Sequence, residues 1–121
     1  MAANFHAYGA RRLVVVGPVE RPSQVRLYAE ALPSAEMTLV RLHASPEPLR
    51  ERIRQRGRGD GPPIAGDALR GQPAAVLSAA HETAVAQAEA LERAGVGDRR
   101  LDTDRRSVAG LAQTIAAWVG W

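Results

Sequence analysis

The sequence predicts an α/β fold in which a short parallel sheet of about three strands is flanked by helices. Short apolar runs rich in β-branched residues alternate with longer stretches whose apolar residues recur at helical spacing. Prolines and glycines stand between these runs, where they end one element and begin the next. The expected order is strand, helix, strand, helix, glycine-rich loop, helix, strand and helix, in a single domain over residues 1–121.

Three segments are predicted strands. Residues 13–16 are Leu-Val-Val-Val and are ended by Gly17 and Pro18. A wholly apolar run of this kind is typical of a strand covered on both faces. Residues 37–42 form the second predicted strand, and residues 101–103, extended back to Arg99, form the third.

Serine, proline and glycine mark the predicted helix ends. Ser45 is expected to accept a backbone N–H from a helix that starts at Pro46 and stops at Gly57, with Leu49 and Ile53 on its buried side. The other predicted helices cover residues 3–8, 22–32, 73–94 and 107–119, the last of them capped by Ser107.

The charge pattern is unusual, because all sixteen basic residues are arginine and the chain has no lysine. Thirteen acidic residues are interleaved with them, and no aromatic residue lies among the arginines of residues 50–70. The sequence therefore does not favour nucleic-acid binding. The chain has no cysteine and no apolar run near the roughly 20 residues that span a bilayer, so we expect a cytoplasmic protein without membrane segments.

Two arginines on the helix after residue 45 are candidate ligand-binding residues. Arg52 and Arg56 are four residues apart and share one helix face. A guanidinium can stack on a nucleotide base or bind phosphate oxygens in a fork, and Arg58 and Arg70 could reach the same ligand from the glycine-rich loop that follows. The alternative is a solvated cationic helix end, which the helix dipole favours by about 0.3–1 kcal/mol per charge.

These features together resemble the C-terminal half of small-molecule P-loop kinases, of the adenylate-, shikimate- and gluconate-kinase-like architecture. The resemblance rests on TLVRLHASPEPLRERIRQRGRG, a lid-like loop over about residues 57–73, a long helix and RRLDTDRRSV before the last helix. It implies that Arg52 packs on the adenine of ATP and that Arg56 contacts the phosphates. It also implies that Arg58 and Arg70 close over the transferring phosphoryl group.

The resemblance further assigns the loop after the last strand to the adenine edge. The residues concerned are Asp102, Thr103, Asp104 and Arg105. The alternative for this loop is a plain turn from strand to helix with Ser107 as the cap. The implied cofactor is ATP with Mg²⁺, and the implied partner is a small-molecule phosphate acceptor whose identity the sequence does not give.

Departures from the family pattern limit what is expected of the chain. A phosphate loop of the G-x-x-x-x-G-K-[ST] type needs a lysine, and no lysine is present. The first predicted strand ends in Gly17-Pro18 rather than in a carboxylate that could hold Mg²⁺. No metal site is expected from His6, His43 and His81, which are far apart in sequence. The resemblance thus implies a nucleotide-binding half that does not catalyse alone, with Met1 internal to a longer reading frame.

A second interpretation is a small non-catalytic interaction module. The family's sheet would place a further strand between the first two strands of this chain. Without it, strand edges stay open and can pair with a complementing chain or with a second copy. The sequence therefore leaves an interaction or dimerisation module, paired with a complementing chain or with a second copy, as the alternative to nucleotide binding.

Overall fold

The computed structural model describes Gly9 and residues 11–121, and in this part it contains four helices and two strands. The helix expected over residues 3–8 lies outside the described residues. Contacts divide the chain into two units, Met1–Met37 and Thr38–Trp121. Within the described part, no helix is long and apolar enough to cross a membrane. The elements are α1 (Pro22–Ala31), β1 (Val40–His43), α2 (Pro46–Arg58), α3 (Ala74–Arg93), β2 (Arg99–Asp102) and α4 (Val108–Val119).

The first unit contains α1 and corrects one strand prediction. Pro22 occupies the first turn of α1, as its fixed φ favours. Residues 13–16, predicted as a buried strand, pair with no described residue, and their side chains are 43 to 95% exposed. The prediction was wrong because an apolar β-branched run becomes a strand only where another strand supplies backbone partners.

The second unit contains the whole of the described sheet. β1 and β2 pair in parallel, with Val40 opposite Arg99 and Leu42 opposite Leu101. A bond of 2.8 Å from the Thr103 N–H to the His43 carbonyl extends the pairing by one residue. The α/β class is confirmed, with two strands in the described residues instead of the expected three or so.

Helices lie on both faces of this sheet. Arg41 and Arg100, which share one face, both form ion pairs with Glu92 of α3. Arg99 points to the opposite face, since neighbouring strand residues alternate. There its guanidinium lies 4.9 Å from the ring centroid of Trp118 in α4. The second unit therefore has the helix–sheet–helix layering that the alternation of strands and helices predicts.

Few apolar side chains are buried in the described part of the chain, and α2 packs against α3. The buried apolar residues are Ile53 of α2, Val96 in the turn before β2 and Leu101 of β2, at 6, 8 and 3% exposure. His81 of α3 is also buried, and its Nε2 lies 2.8 Å from the carbonyl oxygen of Pro46 at the start of α2. The predicted inward position of Ile53 is thus confirmed, while His81 joins the two helices by a polar contact that the sequence pattern did not reveal.

The glycine-rich segment begins slightly later than predicted. α2 continues through Gly57 to Arg58, and Gly59 ends it in the left-handed conformation with φ 78°. The loop then covers residues 59–73 and returns to the helix, where the Gly71 N–H bonds to the Gly57 carbonyl at 2.9 Å. At the other predicted cap, Ser107 accepts from the Gly110 N–H at 3.0 Å, as expected.

Candidate functional site

Thr103 lies at the centre of a polar cluster at the carboxyl ends of both strands. Its side chain is buried, at 6% exposure. Arg52 donates from Nη1 to the Thr103 hydroxyl at 3.0 Å and from Nη2 to the Thr103 carbonyl at 3.3 Å. The hydroxyl in turn donates to the His43 carbonyl at 2.8 Å. The guanidinium plane is therefore fixed by a residue that is itself held between the two strands.

Asp104 ties the loop after β2 to the loop after β1. Its carboxylate accepts the backbone N–H of Ser45 at 3.0 Å and also the Ser45 hydroxyl. These bonds, the hydroxyl first, hold the pKa of the Asp104 carboxyl below its ordinary value, and the positive charge of Arg52 adds to the effect. Ser45 was expected to cap α2 with its side chain, but it makes no such bond. The expectation was wrong, because the Ser45 hydroxyl donates to Asp104 and accepts no N–H from the first turn of α2.

Arg56 is held by an aspartate of the loop. Its Nε and Nη2 donate to the two carboxylate oxygens of Asp67 at 3.0 and 2.7 Å. The Asp67 side chain is 7% exposed and also accepts the Leu69 N–H at 3.0 Å. The bond from Arg56 is the main reason that the pKa of Asp67 lies below its ordinary value. In this structure the fork of Arg56 therefore already binds an anion, which belongs to the chain itself.

The two other arginines expected in the lid differ in their surroundings. Arg58 is half-exposed and pairs with Asp60 at 2.8 Å and with Glu51 at 3.1 Å. Arg70 lies beside Gly59, and its charge contributes to lowering the pKa of Asp67. Arg70 thus belongs to the group around Arg56, whereas the ion pairs of Arg58 face solvent.

Asp102 and Arg105 are not brought into the cluster around Thr103. Asp102 pairs with Arg100 at 3.0 Å, on the face of the sheet that Arg100 shares with Arg41. Arg105 has a φ of 55°, the one positive value found for a non-glycine residue in the described part. That conformation is uncommon for arginine and shapes a tight turn after Asp104. Of the sequence candidates, the structure brings together Arg52, Thr103 and Asp104.

A groove of about 330 Å³ lies between the end of β1 and α3. Ala44, Pro46, Val85 and Ala88 give it an apolar wall, and His43 lies at its edge. The Nδ1 atom of His43 is buried and has no hydrogen-bond partner among the described residues. Arg52 does not line this groove, so the guanidinium cluster and the groove are separate features.

The cluster around Thr103 combines a guanidinium, a hydroxyl and a carboxylate. It presents fixed N–H donors and positive charge, with a carboxylate and a hydroxyl that already have partners. In the described part of the chain, no three histidine, cysteine, aspartate or glutamate side chains are placed to hold a metal ion. The arrangement suits an anionic or planar ligand at the carboxyl ends of the strands.

Sequence reasoning missed two residues that organise this region. Ser45 was assigned only to a helix cap, and its partner Asp104 lies 59 residues away. Asp67 stood among the glycines of the loop and drew no prediction. The available signal was that both aspartates of this segment, Asp60 and Asp67, lie between Arg58 and Arg70 in sequence. That pattern indicates internal ion pairs without naming the partners.

Comparison with protein-family models, with curated proteins and with solved structures found no match. The resemblance to P-loop kinases therefore stays a prediction from the residues that carry it. The function of the site has to be argued from its own geometry.

Proposed function

We propose that the Thr38–Trp121 unit binds ATP, as the lid and adenine-binding half of a P-loop kinase-like protein. The observation that carries the proposal is the guanidinium of Arg52, fixed by two bonds to Thr103 at the carboxyl ends of both strands. Ligands of open α/β sheets bind outside this edge.

Arg52 is suited to hold a base by its face. A guanidinium has five N–H donors, and Thr103 takes two of them. Arg52 is an exposed residue, so a ligand can reach its side chain from solvent. Guanidinium planes stack well on aromatic rings, and a plane held in advance loses less entropy when the ring arrives.

Arg56 and Arg70 are suited to the phosphates. Arg56 lies one turn of α2 beyond Arg52, about 6 Å further along the helix axis. Its fork already holds a carboxylate, which is the geometry that a phosphate would use. Magnesium would come with the phosphates of the nucleotide, since the described residues supply no cluster to hold it.

We expect no ATP-dependent phosphorylation by residues 1–121 alone. In phosphoryl transfer the protein contributes positioning and neutralisation of charge, largely through a phosphate loop and its lysine, and this chain has no lysine. The acceptor is proposed only as a small molecule. Phosphorylation of any acceptor that is lost on Arg56→Ala would contradict this part of the proposal.

Calorimetric titration of the full chain with ATP and with adenosine tests the base site. Arg52→Ala should weaken both ligands by about tenfold, as the loss of a cation–π contact of about 1.4 kcal/mol predicts. Arg54→Ala is the matched control, because it removes the same charge from an exposed position about 200° around the same helix. Equal affinities for Arg52→Ala and the native chain, or no binding by the native chain, would refute the proposal.

An interaction module is the second candidate, favoured by the outer edge of β1. The sheet has two strands in the described residues, so β1 has one edge without a strand partner there. Leu42 of that strand is 59% exposed, although its neighbour Leu101 is buried. Unpaired strand edges with apolar side chains invite pairing with another chain.

Light scattering coupled to size exclusion distinguishes the two candidates. The interaction module predicts a dimer mass without nucleotide, lost in Leu42→Lys, and no stabilisation by ATP. Nucleotide binding predicts a mass that is independent of Leu42 and a melting temperature that rises with ATP concentration.

A further inference from the structure

The ion pair between Arg56 and Asp67 has the form of an occupied oxyanion site. Two parallel N–H···O bonds, of 3.0 and 2.7 Å, join the fork of Arg56 to both oxygens of one carboxylate. Bidentate pairs of this kind are among the strongest contacts that a guanidinium makes. The Asp67 carboxylate has a third donor in the Leu69 N–H, so its placement is well defined.

Positive charge around Asp67 exceeds what one carboxylate neutralises. The bond from Arg56 lowers the pKa of Asp67, and the positive charge of Arg70 lowers it further. Each guanidinium carries one positive charge. One carboxylate leaves about one positive charge unbalanced, and a phosphate group with a charge near −2 would balance both arginines.

Asp67 lies in the loop between α2 and α3, outside both helices. It belongs to the loop over residues 59–73 and follows Gly66, whose φ of 67° places it in the left-handed region. Backbone bonds join this loop to α2 near its two ends, at Asp60 and at Gly71. Between those points, the pair with Arg56 is the one ion pair that joins the loop to the helix among the described residues. The backbone bonds at Asp60 and Gly71 do not involve the Asp67 carboxylate, so they do not depend on its pair with Arg56.

We propose that Asp67 occupies the phosphate position of Arg56 and that a polyphosphate ligand displaces it, so that Asp67 sets the affinity of the site. The inference rests on the proposed function, since the polyphosphate is taken to be that of the bound nucleotide. Asp67 competes with the ligand for one guanidinium. Weakly charged anions cannot displace it, and a triphosphate can.

Asp67→Asn in the full chain tests the displacement, with ATP, adenosine and inorganic tripolyphosphate as probes. Asparagine keeps the size of the side chain and removes the charge. If the free site is populated about one part in ten in the native chain, the variant should bind ATP and tripolyphosphate about tenfold more tightly. Adenosine should bind with unchanged affinity, because it has no phosphate.

Asp60→Asn is the matched control. It removes the same charge from the same loop, from an exposed partner of Arg58. Its affinity for tripolyphosphate should stay within about twofold of the native value, as expected for a surface pair. The inference would be overturned if the Asp67→Asn variant bound tripolyphosphate no more tightly than the Asp60→Asn variant.

The tripolyphosphate titration separates this inference from the proposed function. A gain in tripolyphosphate binding by Asp67→Asn, with adenosine binding absent in every variant, would support the displaced carboxylate and refute the base site at Arg52. If Asp67→Asn does not fold, the native chain gives the same answer by NMR. Displacement predicts that saturating tripolyphosphate shifts both the Leu69 amide and the Arg56 Nε–H resonances, and unchanged resonances would overturn it.

Discussion

Replacing Thr103 by valine removes one hydroxyl from the centre of the candidate site and preserves the shape of the side chain. The hydroxyl accepts from Arg52 and donates to the His43 carbonyl, at 3.0 and 2.8 Å. The His43 carbonyl keeps a bond from the Thr103 N–H, and Arg52 keeps its bond to the Thr103 carbonyl. The loss is therefore one buried hydroxyl and one of two bonds to a largely exposed guanidinium.

These contacts set the expected destabilisation. A buried neutral hydrogen bond contributes about 0.5–1.5 kcal/mol net, and the bond from Arg52 contributes less than a fully buried charged bond because solvent screens it. We expect Thr103→Val to lower the free energy of unfolding by about 1–2 kcal/mol, or the melting temperature by about 5–10 °C.

Urea unfolding, followed by tryptophan fluorescence, measures this change. Trp118 lies against Arg99 of β2 and so reports on the second unit. Thr83→Val, on an exposed position of α3, is the control and should change stability by less than about 0.5 kcal/mol. Equal losses of unfolding free energy in Thr103→Val and Thr83→Val would refute the reasoning. So would additive effects of Thr103→Val and Arg52→Ala, because residues that share a bond are coupled.

Three further predictions follow from other parts of the second unit. Gly59→Ala should lower the free energy of unfolding by about 1 kcal/mol, since an L-residue is strained at φ 78°. Gly61→Ala is the control, because a Cβ there meets only ordinary contacts, and it should lower the same free energy by less than about 0.5 kcal/mol. Chemical denaturation measures both values. The pKa of Asp104 is lower in the folded chain than in the unfolded chain, so its contribution to stability is complete above the unfolded value of about 4 and disappears as pH falls through the folded value. Melting temperatures between neutral and acid pH should therefore fall less steeply for Asp104→Asn than for the native chain, and parallel curves would contradict the assigned pKa. Arg99→Ala should lose about 0.5–1 kcal/mol of unfolding free energy and shift the fluorescence of Trp118, and an unchanged emission spectrum would exclude the stacking contact.

Local sequence signals predicted the elements of the second unit well. The helix start at Pro46, the cap at Ser107 and the two strands were all expected within a few residues of their observed bounds. Each depends on chemistry carried by neighbouring residues, such as the fixed φ of proline or a hydroxyl near a free N–H. The failure at residues 13–16 is of another kind. Strand formation there requires a partner elsewhere in sequence, and local composition cannot supply one.

The sequence predicted which residues form the candidate site, but it did not predict their hydrogen-bond and ion-pair partners. Arg52, Thr103 and Asp104 were all candidates, and the structure brings them together. Their partners were not foreseen, because Arg52 and Thr103 are 51 residues apart and nothing in either segment encodes the other. Arg56 shows the same limit, since the acid that occupies it had no distinguishing pattern in the loop.

The register that places Val40 opposite Arg99 also constrains the order of folding. Nearly sixty residues separate paired positions, so forming the sheet closes a long loop. The connection between α2 and α3 is much shorter, and the bond from the Gly71 N–H to the Gly57 carbonyl closes it. Because loop closure costs entropy before distant contacts form, we expect the helical hairpin to be structured in the folding transition state and the sheet contacts to follow. Side chains that bridge the strand ends would then have low φ-values. Substitutions such as Thr103→Val would accelerate unfolding and leave the refolding rate almost unchanged.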